Sequence, residues 1–205
     1  MSISPDTKLS RGDVTGIVAF VAAGVVIAVG VGVRAVARIV ELVRGTDVPV
    51  GIEFAHGTAE VPLTDGSGAV PIALDSGVLV APRLTAIAIA PGVIGQIALI
   101  LTVLTVVGCL VLLSRRIIGG RVFGRANTAL VSTAGITGLI GFAAVRFFDN
   151  MLANATVSLV TDNRLDNAVL TVEPFTFVLA AFVVAVISTA FAVGARLQRE
   201  TEGLV

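Results

Sequence analysis

The sequence predicts a mainly α-helical integral membrane protein with four transmembrane helices and a small extracytoplasmic β cap. Of its 205 residues, 56% are hydrophobic and only 14% are charged. Four uncharged apolar runs are each about 20 residues long, and two of the segments between them alternate apolar and polar residues as strands do. Mean hydropathy is +1.01. We therefore expect lipid, rather than a soluble core, to cover the apolar surface.

The four apolar runs are long enough to cross a bilayer as helices. A helix rises about 1.5 Å per residue and the hydrocarbon layer is about 30 Å thick, so about 20 residues are needed. Charged residues bound each run, and an arginine at the bilayer centre costs roughly 2.5–3.5 kcal/mol, so these charges mark the ends. The predicted spans are residues 14–33, 92–113, 126–145 and 175–193, with Pro91 and Pro174 each in a first helical turn.

The first apolar run also has features of a secretory signal. Lys8 and Arg11 precede it, and the small residues Ala35 and Ala37 follow it. Signal cores contain about 7 to 15 apolar residues, and this run is longer. We therefore predict a retained membrane anchor, with a cleaved signal as the alternative.

Positively charged residues predict the orientation. The short segment between the second and third spans carries Arg115, Arg116, Arg121 and Arg125 and no acid. With this segment inside, the inner segments hold eight cations against four acids, and the outer ones hold six arginines against ten acids. The positive-inside rule then predicts that both termini are cytoplasmic.

The outer segments have the sequence pattern of strands. Residues 46–90 are predicted to form a β-rich insert, in which residues 50–54, 59–63 and 70–74 alternate. Its predicted turns are His56-Gly57, Asp65-Gly66-Ser67-Gly68 and Asp75-Ser76-Gly77. Residues 150–172 are predicted to form a hairpin with strands at 155–161 and 168–172. Because small sheets need a second layer, we expect both segments to share one β cap within a single membrane domain, 1–205.

No residue constellation indicates catalysis, cofactor binding or metal binding. His56 is the only histidine, which excludes a multi-histidine site within one chain, and Cys109 is the only cysteine. The predicted spans contain no ionisable residue, which disfavours a coupled transporter, and a formal net charge of zero disfavours a nucleic-acid partner. We predict a non-enzymatic envelope or regulatory protein, with a subunit of an oligomeric channel or transporter as the alternative.

Small residues follow one side of two spans. Gly24, Ala28 and Gly32 recur every four residues in the first span, and Gly135, Gly138 and Gly141 recur in the third. Such residues let helices approach closely, so packing within the bundle is predicted, with homodimerisation as the alternative. Ser and Thr hydroxyls within the spans are expected to bond their own helix or a neighbour.

Two stretches resemble a known family. The run from Gly120 to Asn127 fits the pattern Gly-x-x-Phe-x-x-x-Asn, and the chain ends with a basic helix exit, Glu200, Glu202 and a Gly-aliphatic-Val sequence. Both features are similar to the domain of unknown function 2975 family of bacterial membrane proteins. The resemblance implies a four-helix plan, a bacterial plasma membrane location and at most a regulatory partnership, since members often lie beside small helix-turn-helix regulators. It implies no activity.

The segment 115–125, here called the inner loop, and the tail, 194–205, form the one predicted partner surface, for a cytoplasmic regulator. We predict that Glu200 and Glu202 dock near Arg121 or Arg125, helped by burial of Leu204 or Val205; a solvated tail is the alternative. Phe123 is placed at the inner interface, and Asn127 is placed as a cap of the third helix. The surface comprises Arg121, Phe123, Arg125, Asn127, Glu200 and Glu202.

Overall fold

A computed structural model describes residues 10–62, 68–121, 124–161 and 174–202. Its elements follow the order helix, two strands, three helices. They are α1 (Arg11–Arg44), β1 (Thr46–Pro62), β2 (Ala69–Arg83), α2 (Ala86–Ile118), α3 (Arg125–Thr161) and α4 (Pro174–Glu202). The two strands pair antiparallel.

All four helices are long and apolar enough to cross a membrane, as the apolar runs predict. α1 has 34 residues and α3 has 37, which corresponds to about 51 and 56 Å. A hydrocarbon layer of about 30 Å is shorter than either helix. Both helices therefore continue well past the uncharged runs that predicted them.

Local hydrogen bonds fix where α1 begins. The Ser10 N–H donates to the Asp13 carboxylate at 3.0 Å, and the Asp13 N–H donates to the Ser10 hydroxyl at 3.2 Å. This reciprocal pair is a capping box with aspartate at its fourth position.

The start of α2 differs from the prediction, because the helix begins at Ala86 and Pro91 lies inside it rather than in its first turn.

The chain divides into two compact units. The helix unit draws on Met1–Ala35, Leu99–Ala143 and Glu173–Val205. The sheet unit draws on Val36–Ala98 and Ala144–Val172. α1, α2 and α3 thus each contribute one part to either unit, whereas both strands belong to the sheet unit and α4 belongs to the helix unit.

Glycines of α3 pack closely against two other helices in the helix unit. A Cβ at Gly141 would collide with the Thr102 side chain of α2, and one at Gly135 would collide with Val184 of α4. A Cβ at Gly24 or Gly32 of α1 would meet no atom within 4 Å. The predicted packing role is confirmed for α3.

Hydroxyl groups in the helix unit bond to their own helices. Thr105 donates to the Leu101 carbonyl at 2.8 Å, and Thr189 donates to the Ala185 carbonyl at 2.8 Å. Both bonds link residues four apart, as expected for threonine within an apolar helix. These hydroxyls are therefore occupied locally.

The sheet contains two long strands where three shorter ones were predicted. β1 continues through His56 and Gly57, where the register shifts between Glu53 and Gly57 instead of turning. β2 likewise continues through Asp75-Ser76-Gly77. The predicted turns at these two places are wrong, because a bulge accommodates the extra residues without ending the pairing. Residues 65–67 of the third predicted turn lie outside the described residues.

One face of the sheet forms a core with the adjoining helix segments. Val48, Val50 and Ile52 of β1 are buried on this face, whereas the residues between them are more exposed. Helix residues complete the core, among them Leu42, Ala88 and Leu152. A Cβ at Gly92 would lie 2.9 Å from both Leu42 and Leu152, so glycine permits α2 to approach α1 and α3 here.

Gly45 makes the turn from α1 into β1. Its φ of 66° is left-handed, and its N–H donates to the Leu42 carbonyl at 3.1 Å. Its own carbonyl accepts from the Leu84 N–H at 2.9 Å, just after β2. Glycine reaches this conformation without strain and so closes the helix as a C-terminal cap.

The predicted hairpin at 150–172 is wrong over its first strand, because Ala155–Thr161 is helical and continues α3. Leu152, Ala153, Thr156 and Val157 are buried on one helical face, and the Thr156 hydroxyl donates to the Leu152 carbonyl at 2.7 Å. Of the apolar residues that alternate at 155, 157 and 159, only Val157 belongs to this buried face, and Leu159 is exposed. Residues 168–172 lie outside the described residues.

Candidate functional site

The inner loop begins where two glycines end α2. The Gly120 N–H donates to the Ile117 carbonyl at 2.9 Å, and the Arg121 N–H donates to the Arg116 carbonyl at 2.9 Å. Gly120 has a φ of 77°. This combination is a Schellman motif, which requires a left-handed residue at Gly120.

Asn127 fastens the inner loop to α3. Its side chain is buried and donates from Nδ2 to the Arg121 carbonyl at 2.5 Å, while its N–H donates to the Gly124 carbonyl at 3.0 Å. The Thr128 N–H also donates to the Gly124 carbonyl at 3.0 Å, so Gly124 occupies the N-cap. The predicted capping role of Asn127 is wrong, because Asn127 lies within the first turn of the helix.

The remaining members of the predicted partner surface fall into two groups. Arg121 and Arg125 are exposed and form no ion pair within the described residues, whereas Glu200 lies 3.7 Å from Arg196 on α4. Phe123 lies outside the described residues, as does the side chain of Glu202. The docking of the tail on the inner loop stays a prediction.

A polar cavity of about 420 Å³ lies entirely within the sheet unit. Side chains or backbone from α1, β1, β2, α2 and α3 line it. Val50, Gly51, Ile52, Gly77, Leu152 and Ala153 contribute backbone and apolar surface. Its polar side chains are Arg38, Glu53, Ser76, Gln96, Arg146, Asp149 and Asn150.

Arg38 is the half-buried cation of the polar cavity. It donates from Nη1 to the Glu41 carboxylate at 2.5 Å and from Nη2 to the Pro49 carbonyl at 2.6 Å. One guanidinium thereby links the last part of α1 to β1. The fork of donors on arginine makes such a two-partner contact, which an ammonium group reproduces poorly.

The other charged groups of the cavity are loosely paired. Arg146 Nη1 lies 3.9 Å from Glu53 Oε1, beyond hydrogen-bond distance, and both side chains are nearly half exposed. Burial raises the pKa of the Asp149 carboxyl above its usual value, and the charges of Arg146 and Arg38 act against this rise. Within the described part of the chain, the side chains of Asp149, Gln96 and Asn150 make no hydrogen bond.

The free edge of β1 borders the same cavity. Proline has no N–H, so Pro49 occupies a position whose backbone groups point away from β2. Backbone groups alternate in direction along a strand, which directs those of Gly51 and Glu53 to the same edge. Both residues line the cavity. The cavity therefore offers backbone donors and acceptors as well as side chains.

No local pattern in the sequence predicts this cavity. Its polar members come from positions as far apart as 38 and 150, and no local spacing connects them. One feature of the sequence pointed to it: two charged residues, Arg146 and Asp149, follow the third apolar run, although a single charge is enough to mark the end of a membrane-spanning helix.

No family model matches the chain, and neither a curated protein nor a solved structure is recognisably similar to it.

Proposed function

We propose that the chain is a multi-pass protein of a bacterial plasma membrane, non-enzymatic, with a regulatory role in the cell envelope. The observation that carries the proposal is the contrast between its two exposed regions. The inner loop is purely basic, whereas the sheet unit holds a polar cavity with both signs of charge. A regulatory membrane protein requires a region that binds a signal and a region that contacts a partner.

The orientation is the first part of the proposal. Both termini and the inner loop are cytoplasmic, and the strands are extracytoplasmic. Four arginines within eleven residues support this direction, since arginine-rich short loops stay inside. The described part of the chain has an even number of helices that could span a membrane, which supports placing both termini on one side.

Cysteine labelling tests the orientation. Cys109 is the only cysteine and is buried, so a Cys109→Ala background removes the remaining thiol. Gly119→Cys and Asp75→Cys then place one exposed thiol in the inner loop and one in β2. In intact cells, a membrane-impermeant maleimide is expected to label only the Asp75→Cys variant. Labelling of Gly119→Cys without cell lysis contradicts the proposal.

The partner surface is the second part of the proposal. We place the cytoplasmic partner on Arg121, Phe123, Arg125, Glu200 and Glu202, with the buried Asn127 holding the loop beneath them. Two features support this placement: the exposed Arg121 and Arg125, which form no ion pair with the described residues, and the Schellman turn that fixes the backbone beside them. A photo-crosslinking residue at Arg125 is expected to capture a discrete partner, and the same residue at exposed Arg83 serves as the control. Equal capture at both positions argues against the surface.

Membership in the domain of unknown function 2975 family is also proposed. The pattern from Gly120 to Asn127 supports it, because the first residue makes a left-handed turn and the last binds the loop carbonyl of Arg121. These are physical reasons for the spacing of the pattern. The support is confined to this segment and the tail.

A subunit of an oligomeric channel or transporter is the second candidate. The polar cavity favours it, because a transported solute needs a binding site. Against it stand the uncharged spans and the hydroxyls of Thr105 and Thr189, which bond their own helices. Solute flux into liposomes that contain the purified protein distinguishes the two functions: a regulatory protein is expected to give none.

A further inference from the structure

We propose that the polar cavity of the sheet unit binds a small molecule that carries an ammonium group and an anionic group together. Either a free amino acid or the ethanolamine phosphate headgroup of a phospholipid has this chemistry. The inference goes beyond the proposed function, because binding to the purified chain can be measured whatever its orientation or its partner.

The charges of the cavity carry the inference. Arg38 already has two hydrogen-bond acceptors, Glu41 and Pro49, so it contributes chiefly to the local potential. Among the described residues, Arg146 has no acceptor within hydrogen-bond distance, since Glu53 lies 3.9 Å away. Its guanidinium is consequently available to a carboxylate or a phosphate, the groups that its planar fork of donors fits best.

Two carboxylates in the same cavity are available to a cation. Asp149 forms no hydrogen bond within the described residues, and Glu53 has only the distant Arg146. An ammonium group between them would gain charge-assisted hydrogen bonds that neither side chain has at present. Because Asp149 and Arg146 lie three apart on α3, opposite ends of one small molecule can reach both.

Neutral groups add directional hydrogen bonding. Gln96 and Asn150 are half-buried amides without hydrogen bonds to the described chain, and each supplies both a donor and an acceptor. The free edge of β1 at Gly51 supplies a backbone N–H and a carbonyl. These groups favour a polar ligand over an apolar one, since an apolar ligand would leave them buried and unpaired.

The size of the cavity fits a small ligand. Its volume of about 420 Å³ lies within the usual range of about 300–1,000 Å³ for small-molecule sites. A ligand with only one charge would pair with the side chains of opposite charge, and it would cover the remaining charged side chains without pairing them. A molecule with both charges satisfies both, and this difference is the basis of the test.

The experiment uses the full-length chain purified in detergent and isothermal titration calorimetry. The probes are L-alanine and O-phosphoethanolamine, and the comparison compounds are propionate, ethyl phosphate and ethylammonium, each with one kind of charge. We expect saturable binding of at least one zwitterion and at least about tenfold weaker binding of the single-charge compounds. Nanodiscs of phosphatidylethanolamine, compared with phosphatidylglycerol, distinguish the sources: competition with the probe identifies the headgroup, and its absence identifies a free amino acid.

Variants assign the binding to the cavity. Asp149→Asn and Arg146→Gln are expected to weaken binding at least about tenfold. Asp75→Asn and Arg83→Gln make the same changes at exposed positions of β2 that do not line the cavity, and both are expected to bind as the unchanged chain does. Asn150→Leu assigns the binding independently of the charged residues, because it removes an amide from the cavity without changing the charge.

Thermal unfolding without ligand checks that each variant folds. Differential scanning calorimetry reports the unfolding of the sheet unit, which holds all the varied residues. Absence of saturable binding of both zwitterions to the folded, unchanged chain overturns the inference. So does equal binding of the single-charge compounds, or equal weakening by the cavity variants and the surface controls. None of these outcomes bears on the cysteine-labelling result, so the two proposals fail separately.

Discussion

The guanidinium of Arg38 in α1 donates a hydrogen bond of 2.6 Å to the carbonyl of Pro49 in β1. Pro49 lacks an N–H and lies at the free edge of the strand, where β2 supplies no donor for its carbonyl. Arg38 supplies that donor from eleven residues earlier in the chain. The same guanidinium binds Glu41, so a single side chain orders the junction between the helix and the sheet.

Replacement of Arg38 by alanine is expected to destabilise the sheet unit by about 1–3 kcal/mol, because the Pro49 carbonyl and the Glu41 carboxylate both lose a partner. The midpoint of thermal unfolding in detergent, measured by differential scanning calorimetry so that unfolding of the sheet unit itself is recorded, gives the effect. Arg44→Ala is the matched control, since Arg44 is exposed and has no ion pair within the described residues. Equal midpoints for the two variants contradict the role given to Arg38.

Replacement of Gly141 by alanine is expected to destabilise the helix unit by about 1–3 kcal/mol, because its Cβ would collide with the Thr102 side chain. Gly24→Ala is the control, since a Cβ there meets nothing within 4 Å. Alanine forms helices better than glycine does, so the control is expected to be neutral or slightly stabilised. The same thermal measurement distinguishes them, and a stabilised Gly141→Ala variant would show that the close approach is absent.

Replacement of Gly45 by alanine is expected to cost about 1–2 kcal/mol, because a left-handed φ of 66° brings Cβ close to the following carbonyl. Gly51→Ala, in β1, is the control, since its Cβ meets no atom within 4 Å and its φ is not positive. Chemical unfolding of the two variants in parallel gives the difference. If Gly45→Ala is as stable as Gly51→Ala, the turn can be made without a left-handed residue.

Replacement of Asn127 by aspartate is expected to destabilise the start of α3 by about 1–3 kcal/mol. A carboxylate cannot donate to the Arg121 carbonyl, and the buried site would hold a charge beside an acceptor. Limited proteolysis measures the effect as faster cleavage in the inner loop. Thr133→Val, at an exposed position of the same helix, is the control. Unchanged cleavage of the aspartate variant would mean that Asn127 does not hold the loop.

Replacement of Glu200 by glutamine is expected to change stability by less than about 1 kcal/mol. Its ion pair with Arg196 spans 3.7 Å between two largely exposed side chains, and such pairs contribute little. Any loss of photo-crosslinking at Arg125 in this variant therefore reports partner contact rather than unfolding. A large fall in the thermal midpoint would instead show that the tail is a structural part of the helix unit.

The sequence alone determined the four helices that are long and apolar enough to span a membrane, the β-rich insert and the close packing of the α3 glycines. Each depends on local properties: the length of an uncharged run, the alternation of side chains, or the absence of a Cβ. Element bounds were harder to predict, as Pro91 and the helical segment after Asn150 show. The apolar residues at 155, 157 and 159 alternate as in a strand, whereas packing against the core buries Leu152, Ala153 and Val157 on one face of a helix.

Tertiary structure alone decided the polar cavity and its chemistry. Arg38, Gln96 and Asp149 are far apart in the chain, and each has an ordinary explanation at a helix end when considered by itself. Only the folding of α1, α2 and α3 around the sheet brings them together. Hydropathy reports how each segment partitions between water and lipid, whereas the convergence of charges depends on long-range packing, which no local pattern records.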